Sequence, residues 1–360
     1  MGTMVMADAL QAYRGKRVFI TGHTGFKGSW LARILTQLGA EVTGYALPPA
    51  TEDSHFERLG LRHQIQHIEG DIRDAGHLVE AVRACAPEYL FHLAAQALVK
   101  RSYSDPVETF STNVMGSVHV LEAVRATPSI RSLVYITSDK CYENHEWIWG
   151  YRENDQLGGH DPYSASKAAA EIAFSAYSRS FLSQRGDLGA ATTRAGNVIG
   201  GGDWAADRIV PDCVRAVAAG KEVLLRNPHA TRPWQHVLEP LSGYLLLGAC
   251  LHEDPKGYAG SWNFGPPSTQ CRTVGEVAQT LVTRFGTGAV AVEKGVQQQH
   301  EAQLLQLNCD KAHQKLGWYP RWNIEQTLTA TADWYKSVLD GEDASQVTGR
   351  QIREYFPEIN

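Results

Sequence analysis

The chain has 360 residues, length for about two domains and ample volume for a core. Apolar residues make up 43% and charged residues 20%, a balance that excludes a disordered chain. With a formal net charge of −5, nothing draws the whole molecule to nucleic acid or an anionic membrane surface, so an anionic substrate needs local arginines.

In chain order, residues 1–14 lack the apolar stretch of a signal peptide. Lys16-Arg17-Val18-Phe19-Ile20-Thr21 reads as a short buried strand, followed by a helix from 26 to about 38. Further strands are expected at 42–46, 64–69, 89–93 and 133–137, with helical segments among them. Strands alternating with helices predict an α/β fold with a Rossmann-type, doubly wound parallel sheet. A helix is expected at 165–181, and beyond Arg194 the pattern loosens. Gly200-Gly201-Gly202 makes a turn, Pro211 and Pro228 interrupt, and Trp234, Trp262, Trp318 and Trp322 mark a smaller mixed α/β C-terminal lobe. The apolar run 238–251 is a helix that returns to the first unit. The expected division is a dinucleotide-binding domain at 14–193 plus 232–260, and a substrate lobe at 194–231 plus 261–360. No apolar run reaches the ~18 residues of a spanning helix. Cys85, Cys141, Cys213, Cys250, Cys271 and Cys309 are scattered without a C-x-x-C pair, as free thiols in a reducing cytoplasm would be, and no metal site is expected.

Gly22-His23-Thr24-Gly25-Phe26-Lys27-Gly28 places a G-x-x-G-x-x-G triplet between the first strand and the first helix. Glycines there let the backbone approach a pyrophosphate, whose charge rests on the helix N-terminus. Gly22, Thr24, Gly25, Phe26 and Gly28 are the expected cofactor contacts; a tight structural turn is the other reading of the triplet. After the second strand, Gly44-Tyr45-Ala46-Leu47-Pro48-Pro49 offers neither the acid that binds an NAD ribose nor an arginine for a 2′-phosphate. NAD versus NADP stays open on that loop, and weak retention of the cofactor is expected. Asp71-Ile72, after the third strand, is placed to hold the adenine edge, though a helix-capping aspartate fits the local sequence equally. Leu93-Ala94-Ala95 follows the fourth strand, so its backbone faces the cofactor.

Tyr163 and Lys167 share one face of a helix, one turn apart, and the lysine's charge favours the phenolate. Such a pair takes a proton from a sugar or alcohol hydroxyl, and Ser138 hydrogen-bonds the same oxygen. Asp139 and Lys140 supply a second acid/base pair, which a simple dehydrogenase does not need and an elimination does.

From the glycine loop to Leu316-Gly317-Trp318 the chain resembles the extended short-chain dehydrogenases/reductases, and more narrowly the nucleotide-sugar 4,6-dehydratases. Thr137-Ser138-Asp139-Lys140-Cys141-Tyr142-Glu143-Asn144 is most similar to members acting on a CDP-hexose; dTDP- and GDP-sugar relatives carry Asp-Glu or Ser-Glu there. The resemblance implies an NAD cofactor and a three-stage reaction of deoxysugar biosynthesis: oxidation at C4, loss of water across C5 and C6, and hydride return to C6. It implies Tyr163 as the C4 base, Asp139 as the acid for the C6 hydroxyl and Lys140 as the C5 base. As the acid, Asp139 has to carry a proton, which burial among apolar groups favours; a surface ion pair is the other reading of Asp139-Lys140. The resemblance further implies Asn113 near the cofactor, and Gln96, Asn197, Arg208 and Arg232 at the substrate. For Asn197, Arg208 and Arg232 a solvated surface residue is the other reading. The aromatic insert 145–151 either covers the sugar or packs under a loop. The resemblance also implies that helices near 107–125 and 165–181 pair into a four-helix bundle in a homodimer or homotetramer. A nucleotide-sugar 4-epimerase, a dehydratase of another nucleotide sugar, and a non-catalytic dinucleotide sensor are the competing readings.

Overall fold

The computed structural model describes residues 4–292 and 304–359; the stretch 293–303 and residue 360 of the expected second lobe lie outside the described residues. Seven strands form the central sheet: β1 (Arg17–Thr21), β2 (Glu41–Ala46), β3 (Gln66–Glu69), β4 (Tyr89–His92), β5 (Ser132–Ile136), β6 (Gly189–Arg194) and β7 (Gly260–Asn263). Their spatial order is β7-β6-β5-β4-β1-β2-β3, and every pairing is parallel. The order reverses between β1 and β4, the point where an open parallel sheet leaves a crevice for a ligand.

Side chains alternate across this sheet as the strand period requires. Val18, Ile20, Phe91 and Val134 point into one layer, with α1 (Phe26–Gln37) and the apolar helix α5 (Leu238–Glu253). Phe19, Leu90, Leu133 and Tyr135 point into the other, with α2 (Ala75–Cys85), α3 (Ser117–Arg125) and α4 (Pro162–Ser180). Ser132 donates to the Gly248 carbonyl at 2.8 Å, which pins α5 onto β5 as the apolar run predicts.

The second lobe carries the short strand pairs Val198–Ile199 with Gln235–His236, Thr231–Arg232 with Arg272–Thr273, and Val223–Leu225 with Val290–Val292. Two C-terminal helices, α6 (Ile324–Leu339) and α7 (Ala344–Tyr355), return to the first unit, where Thr348 bonds both His55 and Trp334.

One expectation needs correction. The boundary at 260 falls inside β7, so residues 261–263 belong to the sheet: they pair with β6, and Trp262 is fully buried. The helix expected at 107–125 runs unbroken from Pro106 to Arg125, with a wider π-type turn at Ser111–Gly116 between Pro106–Phe110 and α3. Gly116 packs so closely on Ile72 that a Cβ would lie 2.7 Å from its Cδ1. The wide turn holds the buried Asn113, and such turns recur where a helix serves a site. All six cysteines are free, and no helix among the described residues is long and apolar enough to cross a membrane.

Candidate active site

The loops at the carboxyl ends of β1, β3, β4, β5 and β6 carry most of the residues singled out in the sequence. Gly22 adopts φ +78°, and a Cβ there would lie 2.7 Å from the Ala94 nitrogen. A Cβ on Gly28 would collide with the Gly22 carbonyl at 2.1 Å, so these two glycines close the loop on itself. Gly25 is different: its Cβ position meets only the Gly22 carbonyl, at 3.4 Å, and it begins α1 with no side-chain cap. The open helix end therefore has room and unpaired N–H groups for an anion. Thr24 is turned to the Leu47 carbonyl, and Phe26 packs at the edge of the core.

Behind this loop, the Thr21 hydroxyl accepts from the backbone N–H of Leu93 and of Ala94 and bonds His92, whose other ring nitrogen meets Ser117. Burial holds His92 near a pKa of about 3, so the relay is neutral and sets the path of Leu93-Ala94-Ala95. Asn113 accepts from the Gln96 N–H at 2.8 Å and donates to the Gln96 carbonyl and the Ser166 hydroxyl. Its amide ties the loop after β4 to α4. The Gln96 side chain is equally committed, to Leu98 and Thr109. Asp71 accepts three bonds from Arg73, which hold its carboxyl below the usual range; the cap of α2 is Asp74. Ile72 is buried beneath α3.

Tyr163 enters α4 one residue after its start, behind the Asp161 cap and Pro162. Burial pushes the phenol up to about 12, against which its hydrogen bond with Ser138 works. Lys167, one turn on, is buried, and its ammonium has no hydrogen bond or ion pair among the described residues. Burial pulls it down to about 8. A buried, unpartnered cation beside an open glycine loop fits a dinucleotide, whose hydroxyls and charge would satisfy it.

Asp139 is 1% exposed, so it is no surface ion pair. Its Oδ1 accepts from Ser138 at 3.0 Å and from Lys140 at 3.4 Å. Its Oδ2 is buried with no partner, against Gly196, where a Cβ would come within 1.8 Å of it. Lys140 itself is a third exposed. Asn197 takes φ +48° with a buried, unpartnered Oδ1, a strained conformation of the kind that collects at functional sites. Arg208 is held by Asp203 at 2.8 Å, and Arg232 is buried and donates to the Thr231 carbonyl.

The insert places Trp147 on Tyr151 at 5.1 Å and leaves Ile148 and Trp149 exposed. Only Tyr151 of the insert's aromatics packs into a core, on Tyr142.

Three features escaped the sequence. Glu171, one turn beyond Lys167, forms a buried ion pair with Arg194 at 2.8 Å and accepts from Thr137 and Thr192. Gly196 makes space for Asp139. Lys27 turns out to be an electrostatic neighbour of Arg208, Asp139, Lys167 and Lys140. The i, i+4 spacing of Lys167 and Glu171 was the available signal for the first; the other two depend on contacts between distant segments.

The sheet order and the glycine loop define an open parallel α/β fold of the dinucleotide-binding type. A family model for GDP-mannose 4,6 dehydratase matches residues 19–331, and the chain belongs to that family. It is 48% identical over 348 residues to the CDP-glucose 4,6-dehydratase of Salmonella typhimurium, covering 96% of this chain and 97% of that one. Among solved structures, an epimerase of Methanothermobacter thermautotrophicus superposes with a TM-score of 0.81 at 22% identity, covering 93% of this chain and 96% of its own. The dTDP-glucose 4,6-dehydratase of Bacillus anthracis, in complex with NAD, superposes at 0.75 and 21% identity, covering 91% and 99%.

Proposed function

We propose that the chain is an NAD-dependent CDP-glucose 4,6-dehydratase, a hydro-lyase that converts CDP-glucose to CDP-4-keto-6-deoxyglucose and water. The observation that carries the reading is Asp139, a buried carboxyl with one unpartnered oxygen, joined through Ser138 to Tyr163. A 4-epimerase uses the same serine, tyrosine and lysine but has no hydroxyl to expel. The near-full-length similarity to the Salmonella enzyme supports the CDP-sugar in particular.

The glycine loop, Leu93-Ala94-Ala95, Asp71, Ile72 and Lys167 would hold the NAD, with Asn113 fixing the loop they share. Bound NAD supplies a hydride acceptor for C4 and the donor that returns it to C6. Tyr163 takes the proton from the C4 hydroxyl, with Ser138 bonded to both the phenol and, in the complex, the sugar oxygen. Burial otherwise keeps that phenol protonated; Arg208 acts against this, and Lys167 would add positive charge one helical turn away. Oxidation at C4 acidifies the C5 hydrogen, which Lys140 removes, while Asp139 gives its proton to the departing C6 hydroxyl. Gly196 and Ser138 keep the Asp139 carboxyl in place for that transfer. Asn197, Arg208 and Arg232 bind the substrate; guanidinium groups suit the paired oxygens of a diphosphate. Gln96 contributes by shaping the adjacent loop. The exposed Trp147, Ile148 and Trp149 close over the sugar.

The described helices also support a homodimer. Val107, Met115 and Ile172 are 77%, 51% and 60% exposed on the helical segments 106–125 and Pro162–Ser180, apolar surface that a second copy would cover.

Incubation with NAD and CDP-, dTDP-, GDP- or UDP-glucose in parallel, read by proton NMR, tests the reading. A C6 methyl doublet with CDP-glucose is the expected product, and CDP-galactose or no turnover of any of the four would contradict it.

A further inference from the structure

Gln235 begins the short strand Gln235–His236 of the second lobe, in parallel register with Val198–Ile199. Its side chain is buried, and Nε2 donates to two backbone carbonyls, those of Gly196 and Phe264, each at 3.1 Å. Both carbonyls lie just past the ends of β6 and β7, where the ladder of the sheet has stopped. A buried carbonyl left without a donor is costly, so one amide closes two neighbouring loops of the first unit. The Gln235 backbone N–H adds a third bond, to the Asn197 carbonyl at 3.2 Å.

Two bonds from Nε2 fix the orientation of the amide, because Oε1 in its place would face two acceptors. What the amide grips lies against the reactive carboxyl. A Cβ on Gly196 would come within 1.8 Å of Asp139 Oδ2, and that oxygen has no hydrogen-bond partner among the described residues. Packing on Gly196 is therefore what confines it. Asn197, the next residue, takes φ +48°, a conformation that costs energy and has to be held. Gln235 holds both, Gly196 by its side chain and Asn197 by its backbone. His236 points the other way along the strand, and its ring packs with Trp30 and Trp322 in the core.

We propose that Gln235 is a positioning residue for the elimination: through the Gly196 carbonyl it fixes the backbone that confines Asp139, and so aims the acid. The proposal rests on the reading of Asp139 as the acid for the C6 hydroxyl. Oxidation at C4 belongs to Ser138, Tyr163 and Lys167, which the turn after β5 and α4 carry, so Gln235 acts on the second stage and not the first.

Single-turnover reaction of the NAD-saturated protein with CDP-glucose separates the stages. Absorbance of the reduced cofactor reports C4 oxidation, and proton NMR reports the C6 methyl group. Gln235→Leu keeps the bulk and removes both donors. It should form product about 10- to 100-fold more slowly, with C4 oxidation within about threefold of wild type, so that reduced cofactor accumulates. In an Asp139→Asn background the same change should cost less than about threefold, because the group it misplaces is no longer an acid. Gln235→Glu has nearly the same shape and can donate to one carbonyl only when protonated. Its deficit in product formation against wild type should shrink as pH falls, and it carries the test if Gln235→Leu does not fold. Equal losses in oxidation and elimination, the full loss again in Asp139→Asn, no loss at all, or unfolding of both variants would each overturn the proposal. If wild-type protein made no C6 methyl group from CDP-, dTDP-, GDP- or UDP-glucose, the dehydratase reading would fall first, and the positioning role with it.

Discussion

Glu171 and Asp139 are both buried carboxyls near the end of β5, and their surroundings are opposite. Glu171 is closed on every side, by Arg194 through two nitrogens, by Thr137 and by Thr192. Arg194 in turn donates to the Tyr142 hydroxyl and to the Glu153 carbonyl, so the network reaches from α4 through β6 to the loop beyond the catalytic turn. Asp139 has a serine, a lysine at 3.4 Å and an oxygen facing no donor. A satisfied buried carboxylate is scaffolding, and an incomplete one is held ready for a partner that arrives with the substrate. Thr137, bonded to Glu171, is the residue before Ser138, so the scaffold sets the backbone from which the reactive carboxyl hangs.

The contrast is broken most severely at Asp139. Asp139→Asn should lower product formation about 10³-fold, the scale of a lost general acid, while the urea midpoint stays close to wild type. A variant that lost its fold instead would make Asp139 scaffolding. Glu171→Gln should do the reverse. It strands the Arg194 charge in the interior, at about 3–5 kcal/mol of stability, with kcat per folded molecule little altered. Chemical denaturation alongside active-site titration separates the two cases.

Gly196→Ala is a smaller perturbation of the same contrast. The added methyl would lie 1.8 Å from Asp139 Oδ2, so the carboxyl has to shift. Activity should fall about 10- to 100-fold for a stability cost of about 1–3 kcal/mol, a larger catalytic than structural effect. Glycine-to-alanine change at Gly186, which has nothing within 4 Å, is the matched control and should leave activity intact.

The smallest effect is in the pH dependence. Burial lowers Lys167 from 10.5 to about 8, so the folded protein releases this proton before the unfolded chain does. Between about pH 8 and 10.5 the unfolded chain binds more protons, and this group's share of stability therefore rises with pH. Activity uses the charged ammonium and should fall above about pH 8, opposite to stability. Parallel pH profiles of kcat and denaturation midpoint check the two signs; an activity plateau extending to pH 10 would contradict the role of Lys167.

The sheet was legible because its strands are short apolar runs at regular intervals, and the catalytic turn because Ser138, Asp139 and Lys140 are adjacent in sequence. Tyr163 and Lys167 are readable from one helical turn. The limits came where contacts join distant segments. β7 looked like part of the second lobe because its four residues follow a long helix; its pairing with β6 is a tertiary fact. The π-type turn at Ser111–Gly116 comes from packing on Ile72 and from Asn113 reaching Gln96 and Ser166, none of which leaves a periodic mark. Gln96, Asn113 and Asp71 were expected to meet ligands directly. Their polar atoms also bond within the protein, which orders the loops they sit on. Lys27 was hidden by its motif: in a glycine loop the variable positions attract no notice.

Asp139 as the acid of an elimination is the central claim, and deuterium at C4 of CDP-glucose follows it most directly. The account predicts a CDP-4-keto-6-deoxyglucose that carries the label in its C6 methyl group, formed with no net reduced cofactor. Label retained at C4 in CDP-galactose, or released from the enzyme with a 4-keto sugar that keeps its C6 hydroxyl, would contradict it.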